Sequence, residues 1–234
     1  MYVKPRYLWL IIPAFALLFF LGNSLGKSLD KQAVTIFPSQ ATLLPNESVN
    51  KARHDLKNWL SPILTDKNST SFGVKIQQES FIGSFKEEYF QLSGTFQGKK
   101  LYMNRNEKGS SLVIDNEPQP LYLLPYALYT PYEHAKLLRD QLDVLVPNRM
   151  ISRDEEGVEG YQFTLPPEKL KDLLGVWLGN SFIKDMNLDE LSATTSIQYQ
   201  LWYHDQEKKL IRMVVKLKVK SNHGVKEDQL VFNF

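Results

Sequence analysis

Residues 197–220 read IQYQLWYHDQEKKLIRMVVKLKVK. Ile197, Tyr199, Leu201 and Tyr203 occupy alternate positions, with Gln198, Gln200 and His204 among the residues between them. The polar stretch His204-Asp-Gln-Glu-Lys208 interrupts the run. The alternation then resumes, with Ile211, Met213, Val215, Leu217 and Val219 interleaved with Arg212, Val214, Lys216, Lys218 and Lys220. Successive side chains point to opposite faces of a strand. The stretch therefore predicts an antiparallel hairpin with one apolar face and one face toward water. Leu230, Phe232 and Phe234 supply a final strand.

The same period of two runs upstream. Phe72, Val74 and Ile76 form one set, and Phe90, Leu92, Gly94 and Phe96 a second. Leu101 with Met103 and Leu112 with Ile114 follow turns at Gly98 and Gly109. Two further strands are expected near residues 149–153 and 158–164. These are short antiparallel strands joined by tight turns.

Three segments carry helical spacing instead. Val49, Ala52, Leu56, Trp59, Leu60 and Ile63 mark a helix that starts at Asn46 and is expected to end near Leu60. Thr130-Pro131-Tyr132-Glu133 is a capping box with Pro at the first helical position, where a missing N–H costs nothing. Ala135, Leu138, Leu142 and Leu145 are expected to form its buried stripe. Pro166-Pro167-Glu168 opens a third helix through Leu170, Leu173, Leu174, Trp177 and Leu178, stopped by Gly179-Asn180. The expected class is α+β: a curved antiparallel sheet, a half-barrel, with helices packed on its concave face.

Ahead of this single domain, assigned to residues 46–234, lie a linker (27–45) and an apolar N-terminus (1–26). Lys4 and Arg6 precede YLWLIIPAFALLFFL, residues 7–21. Cations before an uncharged apolar run are expected to stay inside while the rest of the chain is exported. The run is longer than a minimal signal core and shorter than a comfortable span, so both a signal-anchor and a cleaved signal peptide fit. If it is retained, the protein is a single-pass protein of the cell membrane with its C-terminal domain extracytoplasmic. The stretch Gly22-Asn-Ser-Leu-Gly26-Lys27-Ser28 imitates a phosphate loop, but three residues separate its glycines where four are needed.

Composition removes several function classes. The 28 Lys and Arg against 26 Asp and Glu leave a net charge of +2, without the basic field of a nucleic-acid binder. With no cysteine there is no disulfide, thiolate metal site or thiol nucleophile. His54, His134, His204 and His223 form no ligand pair and are expected to face solvent. Asp154-Glu155-Glu156 lacks the alternating spacing of a cation loop and reads as a solvated turn. Arg212, Lys216, Lys218 and Lys220 read as a solubilising face more readily than as a contact for anionic lipid. No G-x-S-x-G elbow is present. The expectation is a non-enzyme without metal or cofactor.

The element order over residues 46–234, and the hairpin Leu201-Trp-Tyr-His-Asp-Gln-Glu-Lys-Lys-Leu-Ile-Arg212, resemble the lipoprotein-carrier superfamily of the LolA, LolB and LppX type. The resemblance implies a half-barrel with helices across its mouth and lipid chains held inside. Many members are anchored through a lipidated Cys, which this chain lacks. An apolar cavity of that kind would have its floor at Tyr199, Leu201, Met213, Val215 and Leu217, and its lid at Leu174, Trp177 and Leu178. The partners expected are the membrane, through the N-terminal helix, and a lipid or acyl chain. The alternative is an anchored domain that recognises another envelope protein and holds no small molecule. Reporter fusions at Ser28 and at Phe234 should both read as exported; a cytoplasmic signal at Phe234 would overturn the placement.

Overall fold

The computed structural model describes residues 46–76, 79–96, 98–119, 130–168, 170, 188–221 and 224–234. The expected N-terminal membrane helix and linker lie outside these residues, as do His223 and most of the third helix. Among the described residues no helix is long and apolar enough to cross a membrane.

A helix α1 (Asn46–Thr65) leads into strands β1 (Thr70–Ile76), β2 (Glu79–Lys86), β3 (Tyr89–Phe96), β4 (Lys99–Asn106), β5 (Gly109–Ile114) and β6 (Glu117–Gln119). Helix α2 (Pro131–Arg139) precedes β7 (Asn148–Ile151) and β8 (Val158–Thr164). A short α3 (Leu188–Thr194) runs into β9 (Thr195–His204), followed by β10 (Lys209–Ser221) and β11 (Gly224–Asn233). All eleven strands form one sheet in the order β6-β5-β4-β3-β2-β1-β11-β10-β9-β8-β7, antiparallel throughout. The first strand and the last meet in the middle, with Val74 opposite Phe232. Two antiparallel arms thus grow outward from a seam that only the complete domain can close.

The fold is α+β with an open antiparallel sheet. The inner face is continuous: Phe72, Phe81, Phe90, Met103, Leu112, Phe163, Tyr199, Met213 and Phe232, from nine different strands, share one core with Leu56 and Leu60 of α1 and Leu138 of α2. An open sheet of this many strands curls in preference to staying flat. Glycines assist on the concave side. Gly83 lies opposite Phe72 and Gly94 opposite Phe81 in the register. A Cβ on Gly83 would sit 2.6 Å from the Gln91 carbonyl oxygen and 2.8 Å from the Phe72 ring, so the missing side chain is what lets each phenylalanine lie across the next strand.

Several sequence expectations are corrected here. Helix α1 continues to Thr65, past Pro62, rather than ending near Leu60. Buried Ile63 gives that extra turn an apolar anchor, and the Pro62 carbonyl still accepts from the Asp66 N–H at 3.0 Å. Helix α2 stops at Arg139, so Leu142 and Leu145 are buried from the turn beyond it, not from its stripe. Strands β2 and β6 had no clear alternation to announce them.

The outer face is not uniformly wet. Trp202, Val214 and Val231 are buried on it. Trp202 forms a second small core with Met150 and Val158, packed by Ile211. Ile211 was expected on the inner face. A bulge between Leu210 and Arg212 gives that inner place to Leu210 and turns Ile211 outward.

Gly83→Val should lower the Tm by several degrees, since an overpacked core position costs about 1–3 kcal/mol. Ser93→Val, on the exposed outer face of β3, should leave the Tm within about a degree on the scale of ordinary surface changes. Equal melting of the two variants would show that the glycine is not holding the Phe72 ring in place.

Candidate functional site: a trough strapped by one short helix

The concave face is an apolar trough, and α2 lies across it. Thr130 takes an extended backbone and closes the capping box foreseen in the sequence. Its Oγ1 accepts from the Glu133 N–H at 3.4 Å, and Glu133 Oε2 accepts from the Thr130 N–H at 3.3 Å. The other carboxylate oxygen is turned to the sheet. Glu133 Oε1 accepts from Arg105 Nη1 on β4 at 2.6 Å, and the same guanidinium lies 5.1 Å from the centre of the Phe90 ring. A single carboxylate therefore fixes the start of the helix and ties it to one wall.

The next residue reaches the other wall. His134 is fully buried, and its Nδ1 lies 2.8 Å from the hydroxyl of Tyr199 on β9, itself fully buried. The imidazole also sits edge-on to the Tyr199 ring and 5.2 Å from that of Phe232. Burial pushes the Tyr199 phenol far above its ordinary range, so it remains protonated at any working pH. In the sheet order, β4 and β9 are six steps apart. At ~4.8 Å per step a flat sheet would separate them by about 29 Å. Adjacent residues on one helix meet both strands because the sheet curls round them. The expectation of a solvent-facing His134 is corrected. It falls on the same stripe as Pro131, Ala135 and Leu138, all buried.

One end of the trough carries a second polar contact. Tyr161 donates its hydroxyl proton to Asp55 Oδ2 of α1 at 2.8 Å. Burial first, and then the Asp55 carboxylate, hold that phenol well above its usual range. Trp59 of α1 stacks on Tyr203, with centroids 4.7 Å apart and planes 4° from parallel, and packs against Tyr161 at 5.0 Å. Arg53 Nε donates to the Leu145 carbonyl at 2.9 Å. Helix α1 is thus packed by its apolar face and positioned by Arg53 and Asp55.

Of the residues expected to floor a cavity, Tyr199, Leu201, Met213 and Val215 are buried together in the main core, and Leu217 is half-buried against it. The expected lid residues Leu174, Trp177 and Leu178 lie outside the described residues. Ile197, Tyr199, Leu201 and Met213 each expose 0% of their surface. A side chain beside a void wide enough for water would retain accessible area, so the floor at these positions is filled by protein. Arg105, Glu133 and His134 were not singled out as site residues from sequence. The capping box identified Glu133 only as a helix start, and nothing local links Arg105 to a residue 28 positions away.

The remaining polar candidates resolve simply. Ser152 Oγ accepts from the backbone N–H groups of Asp154 and Glu155, which makes the acidic run a closed turn. Glu155 lies 3.8 Å from Arg212, and Glu227 pairs with Lys218 at 3.1 Å, so two of the four cations on the hairpin face have acidic neighbours. Lys208, at the hairpin turn, holds the Asp205 carboxyl below its ordinary range through a 2.7 Å contact. Among the described residues no three His, Cys, Asp or Glu side chains gather as a metal site.

No protein-family model matches the chain, and no curated protein is matched by it. What the fold and site define, among the described residues, is an open eleven-stranded antiparallel sheet with an apolar trough against which α1 and α2 pack.

The Arg105–Glu133 pair is largely shielded, with 22% and 19% of the two side chains exposed. In a double-mutant cycle of Arg105→Met and Glu133→Gln, where Gln preserves the capping box, denaturant unfolding should give a coupling of about 1 kcal/mol. A coupling indistinguishable from zero would mean that the pair does not tie α2 to β4.

Proposed function

We propose that the domain is a non-catalytic binding module, anchored at the outer side of the cell membrane by its N-terminal segment, which takes up a lipid or acyl chain between sheet and helices. The observation that carries this reading is the strap. A helix of nine residues is fastened to both walls of an apolar trough by two polar contacts next to each other in sequence. Polar ties of this kind are directional, and lifting α2 would uncover a continuous apolar surface for a hydrocarbon chain. Ile197, Tyr199, Leu201 and Met213 on its floor expose no surface, so uptake there proceeds by displacement of α2 and not by occupation of a standing void. The resemblance to lipoprotein carriers supports the same reading, as does the apolar run behind Lys4 and Arg6.

A second reading, an anchored envelope interaction domain without a small ligand, is favoured by one specific observation. The floor residues Tyr199, Leu201 and Met213 expose no surface, while Val144, Val146 and Ile151 are exposed beside the edge strand β7. Apolar residues gathered at a sheet edge suit protein contact.

The chain contains no cysteine, so Arg105→Cys with Glu133→Cys accepts a cleavable thiol-reactive cross-linker at these two sites alone. The cross-linked protein should lose uptake of a fluorescent fatty acid, and reductant should restore it. Equal uptake in both states would exclude entry by lifting α2. A parent and a reduced variant that both ignore the probe would remove the lipid reading and leave the interaction domain.

A further inference from the structure

We propose that the rim carrying the tip of the β10–β11 hairpin is the membrane-facing end of the domain, and that Lys216 and Lys220 seat it on the anionic headgroups of the bilayer that holds the N-terminal segment. This rests on the anchored placement proposed above and is independent of any ligand in the trough.

Strand direction sorts the connections into two rims. The turns 87–88, 107–108, 152–157 and 205–208 follow β2, β4, β7 and β9, which run the same way, so they share one rim. These turns hold eight Asp and Glu against three Lys and Arg. The β10–β11 connection lies at the opposite rim. There, among the described residues, the hairpin outruns its neighbour: β1 pairs with β11 as far as Ile76 opposite Leu230, while β10 and β11 stay paired to Ser221 opposite Gly224. Lys216, Lys218 and Lys220 lie on the outer face of this extension. Lys218 has Glu227 at 3.1 Å, whereas Lys216 and Lys220 have no ion-pair partner among the described residues. Val225, directly across from Lys220, exposes 62% of its surface. Cations beside an exposed apolar side chain are drawn to an anionic membrane surface, and an acid-rich rim is repelled by it.

Helix α1 shows which rim the membrane segment approaches. Its last residue, Thr65, leads into β1 at Thr70 on the acid-rich rim, and Trp59 stacks on Tyr203 beside the turn 205–208. Earlier on the helix, Arg53 donates to the carbonyl of Leu145, which precedes the first residue of β7 and so lies toward the tip rim. Helix α1 therefore runs from the tip rim to the acid-rich rim, and Asn46 begins about 20 Å back from Trp59 along the axis. The chain between the apolar segment and Asn46, residues 27–45, can reach at most about 65 Å. The tether thus enters on the side of the hairpin tip and keeps that tip within reach of the headgroups.

The chain has no cysteine, so Val225→Cys and Lys108→Cys each give a single thiol, one at the tip and one at the acid-rich rim. Alkylation by a neutral polyethylene glycol maleimide is followed on the full chain in nanodiscs of phosphatidylcholine, alone or mixed with phosphatidylglycerol. The anionic lipid should slow the tip thiol about fivefold or more, since each cation near the surface contributes roughly that factor, and leave the other thiol unchanged. Lys216→Gln combined with Lys220→Gln should return the tip thiol to its rate in neutral lipid, and so should high salt on the parent. A tip thiol that reacts equally fast in both lipids would overturn the proposal, as would equal slowing at position 108. Slowing that survives both the double substitution and high salt would also overturn it. If the double variant fails to fold, the salt response decides alone. A chain that enters neither nanodisc removes the anchored placement and this orientation with it; a chain that enters both with both thiols open removes the orientation only.

Discussion

Glu133 and His134 are consecutive residues, and between them they grip Arg105 on one wall of the sheet and Tyr199 on the other. The rest of the architecture depends on that constraint. A sheet of eleven strands has far more apolar inner surface, if it lies flat, than α1 and α2 can cover. Curling brings the strands to the helices, and the strap fixes how far they curl. The paired Gly83 and Phe72, and Gly94 and Phe81, then act locally in the same sense by letting rings lie flat where the sheet is most concave.

The topology adds a second constraint. Each strand pairs with its sequence neighbour except at the seam, where β1 meets β11. Hairpins form from local contacts, whereas the seam joins the two ends of the domain and must wait for both arms. Helix α2 sits between the arms in sequence and touches both in space. It therefore reports on closure of the whole trough. Among the described residues the edge strands are short, three residues in β6 with Pro118 among them and four in β7, which limits pairing with other chains.

Much of this was legible in the sequence where a local rule dominates. The alternation from Ile197 to Tyr203 and from Met213 to Leu217 placed the hairpin on the correct face, and Thr130-Pro131-Tyr132-Glu133 located the start of α2. The failures share a cause in long-range packing. Ile211 left the inner face because a bulge, invisible to strict alternation, shifted the register by one residue. Val214 looked like an outward residue of a wet face, yet it is buried, as Trp202 is on the same face. For Trp202 the reason is a partner cluster, Met150 and Val158, from strands more than forty residues earlier in the chain. His134 was legible in principle, one position before Ala135 on a stripe that begins at Pro131, but a polar side chain masked its place. The Arg105–Glu133 tie had no local signature at all.

Closure by α2 is the central claim, and the distance between the walls tests it most directly. Lys108, in the turn after β4, and Gln206, in the turn after β9, are exposed at the same end of the trough, because these two strands run in the same direction. Spin labels on cysteines at these two positions attach nowhere else, since the chain has no cysteine of its own. Pulsed dipolar spectroscopy should give one narrow distance in the otherwise unaltered protein, and a longer, broader distribution when Arg105→Ala and Tyr199→Phe are combined. The same distance and width with both contacts removed would contradict the account, because the sheet would then hold its curl without the strap.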